Sequence, residues 1–182
     1  LVVNAHKWLG VPFDCSLFYV RDEEQLLRVM STAPSYLRSA ADGQVRNLRD
    51  TGVPLGRRFR ALKLWFVLRE QGLEGLRARL RRDLAHAQRL ADVVRGAAHW
   101  RLVAPVPLQT LCVRHEPPGL MGAALEEHNR SLAERVNARG YAYFTGAMIG
   151  GEWLVRVSIG AVASEWDDVL AGWQELRGVA EG

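Results

Sequence analysis

The stretch NAHKWLGVPFDCS, residues 4–16, sets a histidine, a lysine and a tryptophan between two short apolar segments, residues 1–3 and 9–13. Lys7 in this stretch is one of two lysines among 182 residues. Its apolar stem can pack while the ammonium group reaches water. Alternatively, the amine is held desolvated, with a depressed pKa, as a nucleophile that forms a Schiff base. Spacing alone favours the first interpretation and leaves the second open.

A second informative stretch, PLGRRFRALKLWFVLR, occupies residues 54–69. It predicts a helix from Arg57 that carries Phe59, Leu62 and Phe66 on one stripe and ends at a Gly72 cap. Together, NAHKW and this run resemble the group II pyridoxal-phosphate-dependent amino acid decarboxylases, the family of aromatic-L-amino-acid decarboxylase. HKW marks the cofactor lysine in that family, and LGRRFRALKLW is a longer shared string. Members are more than twice as long, so we expect this chain to be a C-terminal portion.

The resemblance implies an α/β architecture, namely the PLP-dependent transferase fold type I. Residues 1–72 would form the end of the large cofactor-binding domain with an active-site loop and a connecting helix, and residues 73–182 the small α+β domain. Hydrophobic periodicity and turn residues predict a matching order of elements, with an antiparallel sheet in the second half. Strands are predicted at 2–3, 16–20, 101–103, 108–115, 141–147 and 152–159, and helices at 23–30, 57–72, 74–96, 121–139 and 164–177.

The same resemblance assigns chemistry to the first stretch. Lys7 would carry pyridoxal 5'-phosphate as a Schiff base, while Asn4 and His6 would hydrogen-bond the cofactor phosphate as donors. The cofactor is an electron sink for the carbanion left when carbon dioxide departs from the amino acid substrate, which the resemblance makes aromatic. The implied protein is a cytoplasmic, homodimeric carboxy-lyase of amino acid metabolism. The fragment alone is expected to be inactive, because the family's pyridine-nitrogen aspartate lies in the other half.

The loop before LGRRF departs from the family pattern. Members carry a tyrosine there that protonates the carbanion, and backward alignment from Pro54 places Leu48 at that position. Another group such as Tyr36 or the freed Lys7 then supplies the proton, or the carbanion reacts with oxygen to give an aldehyde, as in the related aldehyde synthases. A different reaction on an amino acid is the third alternative. Closure of the loop at 43–52 is expected under all three.

Further candidates lie outside NAHKW. The resemblance places Gly56 near the active site of the partner subunit, and the three arginines within residues 57–60 are expected to position that segment through ion pairs. Arg156 alternates with apolar residues on a predicted strand, where it is either a clamp for a substrate carboxylate or, as we favour, part of a structural ion pair. A non-catalytic dimerisation module is the alternative from another functional class.

Composition argues against several other classes. The net charge is +4, yet the arginines of 73–95 fall largely between apolar residues at helical spacing, which predicts a solvated helix face rather than a nucleic-acid surface. No apolar run approaches the roughly 20 residues of a membrane span. The two cysteines, Cys15 and Cys112, lack ligand spacing and are expected to be reduced and buried. Four histidines show no metal-site spacing and are expected to be surface or helix residues, namely His86, His99, His115 and His128.

Overall fold

The computed structural model describes residues 1–31, 36, 40, 42 and 44–182. The chain divides into two compact units, Leu1–Leu73 and Glu74–Gly182. The sequence predicts the division after residue 72, and the assignment of the two parts to a large and a small domain stays a prediction. Among the described residues, none of the helices is both long and apolar enough to cross a membrane.

The first unit begins with a short antiparallel hairpin. Strand β1, Val2–Val3, pairs with strand β2, Leu17–Phe18, so β2 is shorter than the predicted strand at 16–20. Helix α1, Glu23–Met30, starts at Asp22, whose carboxylate accepts the Gln25 backbone N–H at 3.1 Å, and this cap explains why the predicted start is right. A 3₁₀ helix, Leu48–Thr51, interrupts the predicted loop.

Helix α2 runs from Ala61 to Arg95 and contains one residue with non-helical backbone angles, Gly72, at φ 67° and ψ 172°. A glycine at positive φ is typical of a helix end, as the sequence predicts there. The predicted start at Arg57 is wrong by four residues. Residues 57–60 instead precede the helix, where two of their arginine side chains bond a carboxylate that is distant in sequence, as described below.

The second unit is a four-stranded sheet with helices packed on it, and its predicted antiparallel topology is confirmed. Its elements are β3 Trp100–Leu102, β4 Thr110–His115, α3 Gly122–Asn137, β5 Thr145–Ile149, β6 Glu152–Ser158 and α4 Trp166–Glu181. The strand order is β3-β4-β6-β5, and every neighbouring pair is antiparallel. Strands β5 and β6 are joined by Gly150 and Gly151, both at positive φ, which suits a tight hairpin turn.

The core of the second unit lies between one face of this sheet and the helices. In α2, Ala87, Ala91 and Val94 are fully buried, which confirms the predicted apolar stripe. Arg79 is an exception, because it was expected on the solvated face and is buried. It lies three residues after the buried Leu76 and is therefore on the same side of the helix. The sheet and the other helices contribute Leu111, Val113, Leu132, Val136, Val155, Val157, Trp173 and Leu176.

Side chains replace the sheet ladder where β4 and β6 separate. Their pairing ends at Val113 and Val155. Beyond that point the buried Arg114 donates to the Trp153 carbonyl at 2.5 Å and to the Glu126 carboxylate at 2.5 Å. Glu126 in turn accepts the Trp153 N–H at 2.8 Å. These bonds satisfy backbone groups that the separated strands leave unpaired.

Candidate active site

The β1–β2 hairpin brings Asn4 and Ser16, the two ends of the 4–16 stretch, side by side. Val3 lies opposite Leu17, so Asn4 and Ser16 are the next pair in the same register. The Ser16 hydroxyl donates to Asn4 Oδ1 at 2.6 Å. Lys7 N–H donates to the Asn4 carbonyl at 3.0 Å, which closes the turn that carries the lysine.

The turn is anchored by its buried flanks rather than by Lys7 itself. Ala5 is fully buried, Val11 is nearly so, and the Val11 N–H donates to the Ala5 carbonyl at 3.2 Å. Gly10 N–H donates to the Lys7 carbonyl at 3.1 Å. The Lys7 side chain is exposed. A nucleophilic amine at this position therefore requires desolvation by groups other than those of this turn.

His6 is fixed by the backbone on the opposite side of the turn. Its Nδ1 lies 2.8 Å from the Cys15 carbonyl oxygen and 3.1 Å from the Cys15 backbone nitrogen. Its ring meets Phe13 edge-on, with centroids 4.9 Å apart. In the tautomer protonated on Nδ1 the ring donates to the Cys15 carbonyl, whereas in the tautomer protonated on Nε2 its Nδ1 accepts the Cys15 N–H and the proton lies on Nε2. That proton can be donated to an anion.

Asp14 links the two diagnostic stretches. Its carboxylate accepts from Arg58 Nη2 at 2.5 Å and from Arg60 Nε at 3.0 Å, which confirms the expected ion pairs for two of the three arginines in the 57–60 segment. Desolvation opposes ionisation of Asp14, but its backbone hydrogen bond and the two guanidinium groups outweigh it and lower its pKa. Lys63 Nζ donates to the Phe13 carbonyl at 2.9 Å. Asp14 is a site residue that the sequence did not predict, although the signal was present as one acid in the first stretch and three arginines in the second.

A cavity of about 340 Å³ adjoins this link. Gly56 and Ser16 both line it, so the structure brings one further candidate close to the residue that bonds Asn4. Cys15 is buried beside it, as expected, and its thiol lies 3.7 Å from the Arg60 carbonyl. The full lining is Asp14, Cys15, Ser16, Pro54, Gly56, Arg57, Arg58 and Arg60.

The remaining candidates lie elsewhere. Tyr36 is 76% exposed, and Leu48 is 61% exposed at the start of the 3₁₀ helix. The predicted loop closure depends partly on Gly43, which lies outside the described residues. Arg156 lies in the second unit, exposed on β6 opposite Cys112 of β4. No carboxylate among the described residues forms a salt bridge with Arg156, so the structural ion pair favoured from the sequence is wrong. Cys112 is only partly buried, so its expected burial is wrong as well. Desolvation raises the pKa of the Cys112 thiol, which the Arg156 charge opposes.

One histidine expectation is wrong. His115 is buried in β4, where its Nδ1 lies 3.0 Å from His128 Nε2 and its ring stacks on Trp100. It points inward because it is in phase with Leu111 and Val113 on the same strand. No cluster of three or more potential metal ligands occurs within the described part of the chain.

The donor set of the turn fits a phosphorylated aldehyde. Lys7 offers a primary amine, which condenses with an aldehyde. Asn4 offers a carboxamide whose oxygen is already engaged by Ser16, so its N–H groups remain for an anion. His6 offers an Nε2 proton in the tautomer whose Nδ1 accepts the Cys15 N–H. An amine in the same turn as two hydrogen-bond donors suits a carbonyl compound that carries a phosphate.

Comparison with known proteins agrees with this chemistry. A family model described as the pyridoxal-dependent decarboxylase conserved domain matches residues 1–116. Tryptophan decarboxylase 1 of Oryza sativa subsp. japonica is 36% identical over 181 residues, which cover 96% of this chain and 35% of that protein. Aromatic-L-amino-acid decarboxylase of Drosophila melanogaster is 34% identical over 178 residues, which cover 98% of this chain and 34% of that protein.

Solved structures show the same likeness. The Oryza sativa TDC structure with PLP and tryptamine has a TM-score of 0.87 at 35% identity, over 99% of this chain and 38% of that one. Rhodiola rosea 4-hydroxyphenylacetaldehyde synthase has a TM-score of 0.82 at 29% identity, over 99% and 36%. This chain thus spans little more than a third of the length of these relatives. The predicted resemblance and α/β fold are confirmed, and the chain belongs to the pyridoxal-dependent decarboxylase family.

Proposed function

We propose that the protein is a pyridoxal 5'-phosphate-dependent decarboxylase of an aromatic amino acid, and that Lys7 is the residue whose amine bonds to the cofactor aldehyde. The observation that carries this proposal is the convergence of Lys7, Asn4 and His6 on one hydrogen-bonded turn. The relatives named for tryptophan, tyrosine and aromatic amino acids support the substrate class. A cytoplasmic location and a homodimeric assembly are part of the same proposal.

In this mechanism, the residues of this chain would bind the cofactor and orient it. When bound, pyridoxal phosphate supplies the electron sink for loss of carbon dioxide. Asn4 Nδ2 and His6 Nε2 donate to the phosphate and fix the position of the ring relative to Lys7. Asp14 holds the turn against the 57–60 segment through Arg58 and Arg60. The aromatic substrate and the required desolvation are assigned to parts of the protein beyond this turn.

Chemical trapping tests the assignment of Lys7. The complete gene product that contains these residues is loaded with pyridoxal phosphate, reduced with borohydride and digested. We expect the reduced cofactor on the peptide that contains Lys7, and we expect Lys7→Arg to lose it together with the cofactor absorption band. Lys63→Arg is the matched control, because it removes the only other primary side-chain amine of this chain and keeps the charge. Cofactor retained at full level in Lys7→Arg contradicts the proposal.

An aldehyde-forming reaction is the second candidate. It is supported by the structural likeness to the aldehyde synthase and by Leu48, which has no proton to donate at the position of the family's loop tyrosine. In that reaction, the amino acid, oxygen and water give the aldehyde, carbon dioxide, ammonia and hydrogen peroxide, with water supplying the aldehyde oxygen. Amine without peroxide identifies the decarboxylase. Peroxide in proportion to carbon dioxide identifies the synthase.

A non-catalytic dimerisation module is the alternative of another class. The extent of the reading frame separates the two. A reading frame that encodes no further cofactor-binding half favours the dimerisation module. Without a carboxylate at its pyridine nitrogen, the cofactor ring is a poorer electron sink.

A further inference from the structure

Ser16 lies outside the NAHKW motif, yet its hydroxyl makes a short contact inside the candidate site. The hydroxyl donates to Asn4 Oδ1 at 2.6 Å. This contact follows from the hairpin, because Val3 pairs with Leu17 and the next residues of each strand face each other. Ser16 is also held by its neighbour, since the Cys15 backbone contacts the His6 ring at 2.8 and 3.1 Å.

The contact determines which end of the Asn4 amide is available. A carboxamide has an oxygen that accepts and a nitrogen that donates, and the two are similar in size. An exposed asparagine without a partner presents either end to an anion, and the oxygen end repels it. With Oδ1 engaged by the Ser16 hydroxyl, Nδ2 and its two N–H groups face the other way. The single hydroxyl proton of Ser16 is used in this bond, so Ser16 does not donate to the anion itself.

We propose that Ser16 is a positioning residue that orients the Asn4 amide so that Nδ2 donates to the cofactor phosphate. This inference rests on the proposed function and adds to it a residue that acts through Asn4. It has a specific consequence, because only a ligand that carries the phosphate senses the orientation of that amide. Pyridoxal, which has the same aldehyde and ring without the phosphate, should be indifferent to Ser16.

The test measures binding rather than turnover. The complete protein, freed of cofactor, is titrated with pyridoxal phosphate and separately with pyridoxal, and the Lys7-dependent absorption band is followed. We expect Ser16→Ala to weaken pyridoxal phosphate binding about 2- to 12-fold, the range for one hydrogen bond. Pyridoxal binding should stay unchanged. Ser16→Thr, which keeps the hydroxyl, should restore the preference for the phosphorylated ligand.

A double-mutant cycle separates positioning from direct contact. If Ser16 acts through Asn4, adding Ser16→Ala to Asn4→Ala has no further effect on pyridoxal phosphate affinity. Additive losses would mean that Ser16 contacts the phosphate itself and would overturn the inference. Equal weakening of both ligands by Ser16→Ala would show a general structural role and overturn it as well.

The outcome for the wild-type protein distinguishes this inference from the proposed function. If the wild type takes up neither ligand at Lys7, the proposed function fails and the inference fails with it. If the wild type binds pyridoxal phosphate at Lys7 and Ser16→Ala binds it equally tightly, only the inference about Ser16 is wrong.

Discussion

Lowering the pH from 7 to 5.5 is expected to destabilise the second unit through His115. The side chain is 2% exposed, stacks on Trp100 with ring centroids 4.7 Å apart, and places Nδ1 3.0 Å from His128 Nε2. Burial first, and the neighbouring His128 second, lower the pKa of His115 from 6.5 to about 4. Glu181 opposes this shift, while His99 and Arg135 add to it.

The sign and size of the effect follow from proton linkage. Between pH 6.5 and 4, the unfolded chain binds a proton at His115 that the folded chain does not, so the free energy of unfolding falls as the pH drops. With these two pKa values, the loss of unfolding free energy between pH 7 and 5.5 is about 1 kcal/mol. The pKa of His128 is also lowered, by burial and by Arg135, and acts in the same direction. Glu116 and Glu126 have lowered pKa values and titrate below this window.

Hydrogen exchange followed by mass spectrometry localises the effect to the second unit. After correction for the intrinsic rate, amides of β4 should exchange roughly five- to tenfold faster at pH 5.5 than at pH 7. His115→Phe keeps an aromatic ring against Trp100 and should lose most of this dependence. His99→Asn is the matched control, because it removes an exposed histidine at φ 65°, a backbone conformation that asparagine tolerates. Equal pH dependence in wild type and His115→Phe would refute the reasoning.

Two further predictions concern stability. Glu126→Gln should lower the free energy of unfolding of the second unit by about 1–3 kcal/mol, measured by urea titration, because the buried Arg114 loses a charged partner while Glu116 still pairs with it. An unchanged midpoint would show that Glu116 compensates fully. Gly72→Ala should lower the free energy of unfolding by about 1–3 kcal/mol, because φ 67° and ψ 172° suit only glycine. Gly75→Ala, in the regular part of the helix, should stabilise the protein. The unfolding temperatures of the two variants should therefore shift in opposite directions.

Elements with local causes were predictable from the sequence. Helix α1 follows from an N-cap and an acidic first turn, and the antiparallel second half follows from alternation and glycine turns. The start of α2 had no such local cause. Residues 57–60 are kept out of the helix where Arg58 and Arg60 bond Asp14, which is separated from Arg60 by 46 positions. A pattern read over a dozen residues contains no information about that contact.

The two errors on buried polar residues had signals that were present in the sequence. Arg79 is in phase with the apolar stripe of α2, and His115 is in phase with Leu111 and Val113 on β4. In both cases the charged or polar residue type indicated the surface, whereas the position of the residue in the apolar repeat indicated the core. The repeat gave the right answer. Buried polar groups need hydrogen-bond partners. The Asn129 amide supplies them for the backbone of His115, since it accepts the His115 N–H and donates to the His115 carbonyl.

The candidate site shows where sequence pattern and packing separate. NAHKW identified the turn, but the predicted stripe of Phe59, Leu62 and Phe66 is 74%, 40% and 58% exposed. Among the described residues of the first unit, the buried apolar side chains are few and mostly small, namely Ala5, Val11, Cys15 and Val67. With so small a core, the Lys7 turn is held mainly by its hydrogen bonds and by the ion pairs of Asp14. In this chain these polar contacts are open to water. Both the exposed stripe and Lys7 therefore need further protein surface packed on them, which buries the first and desolvates the second. For this reason cofactor binding has to be measured on the complete gene product.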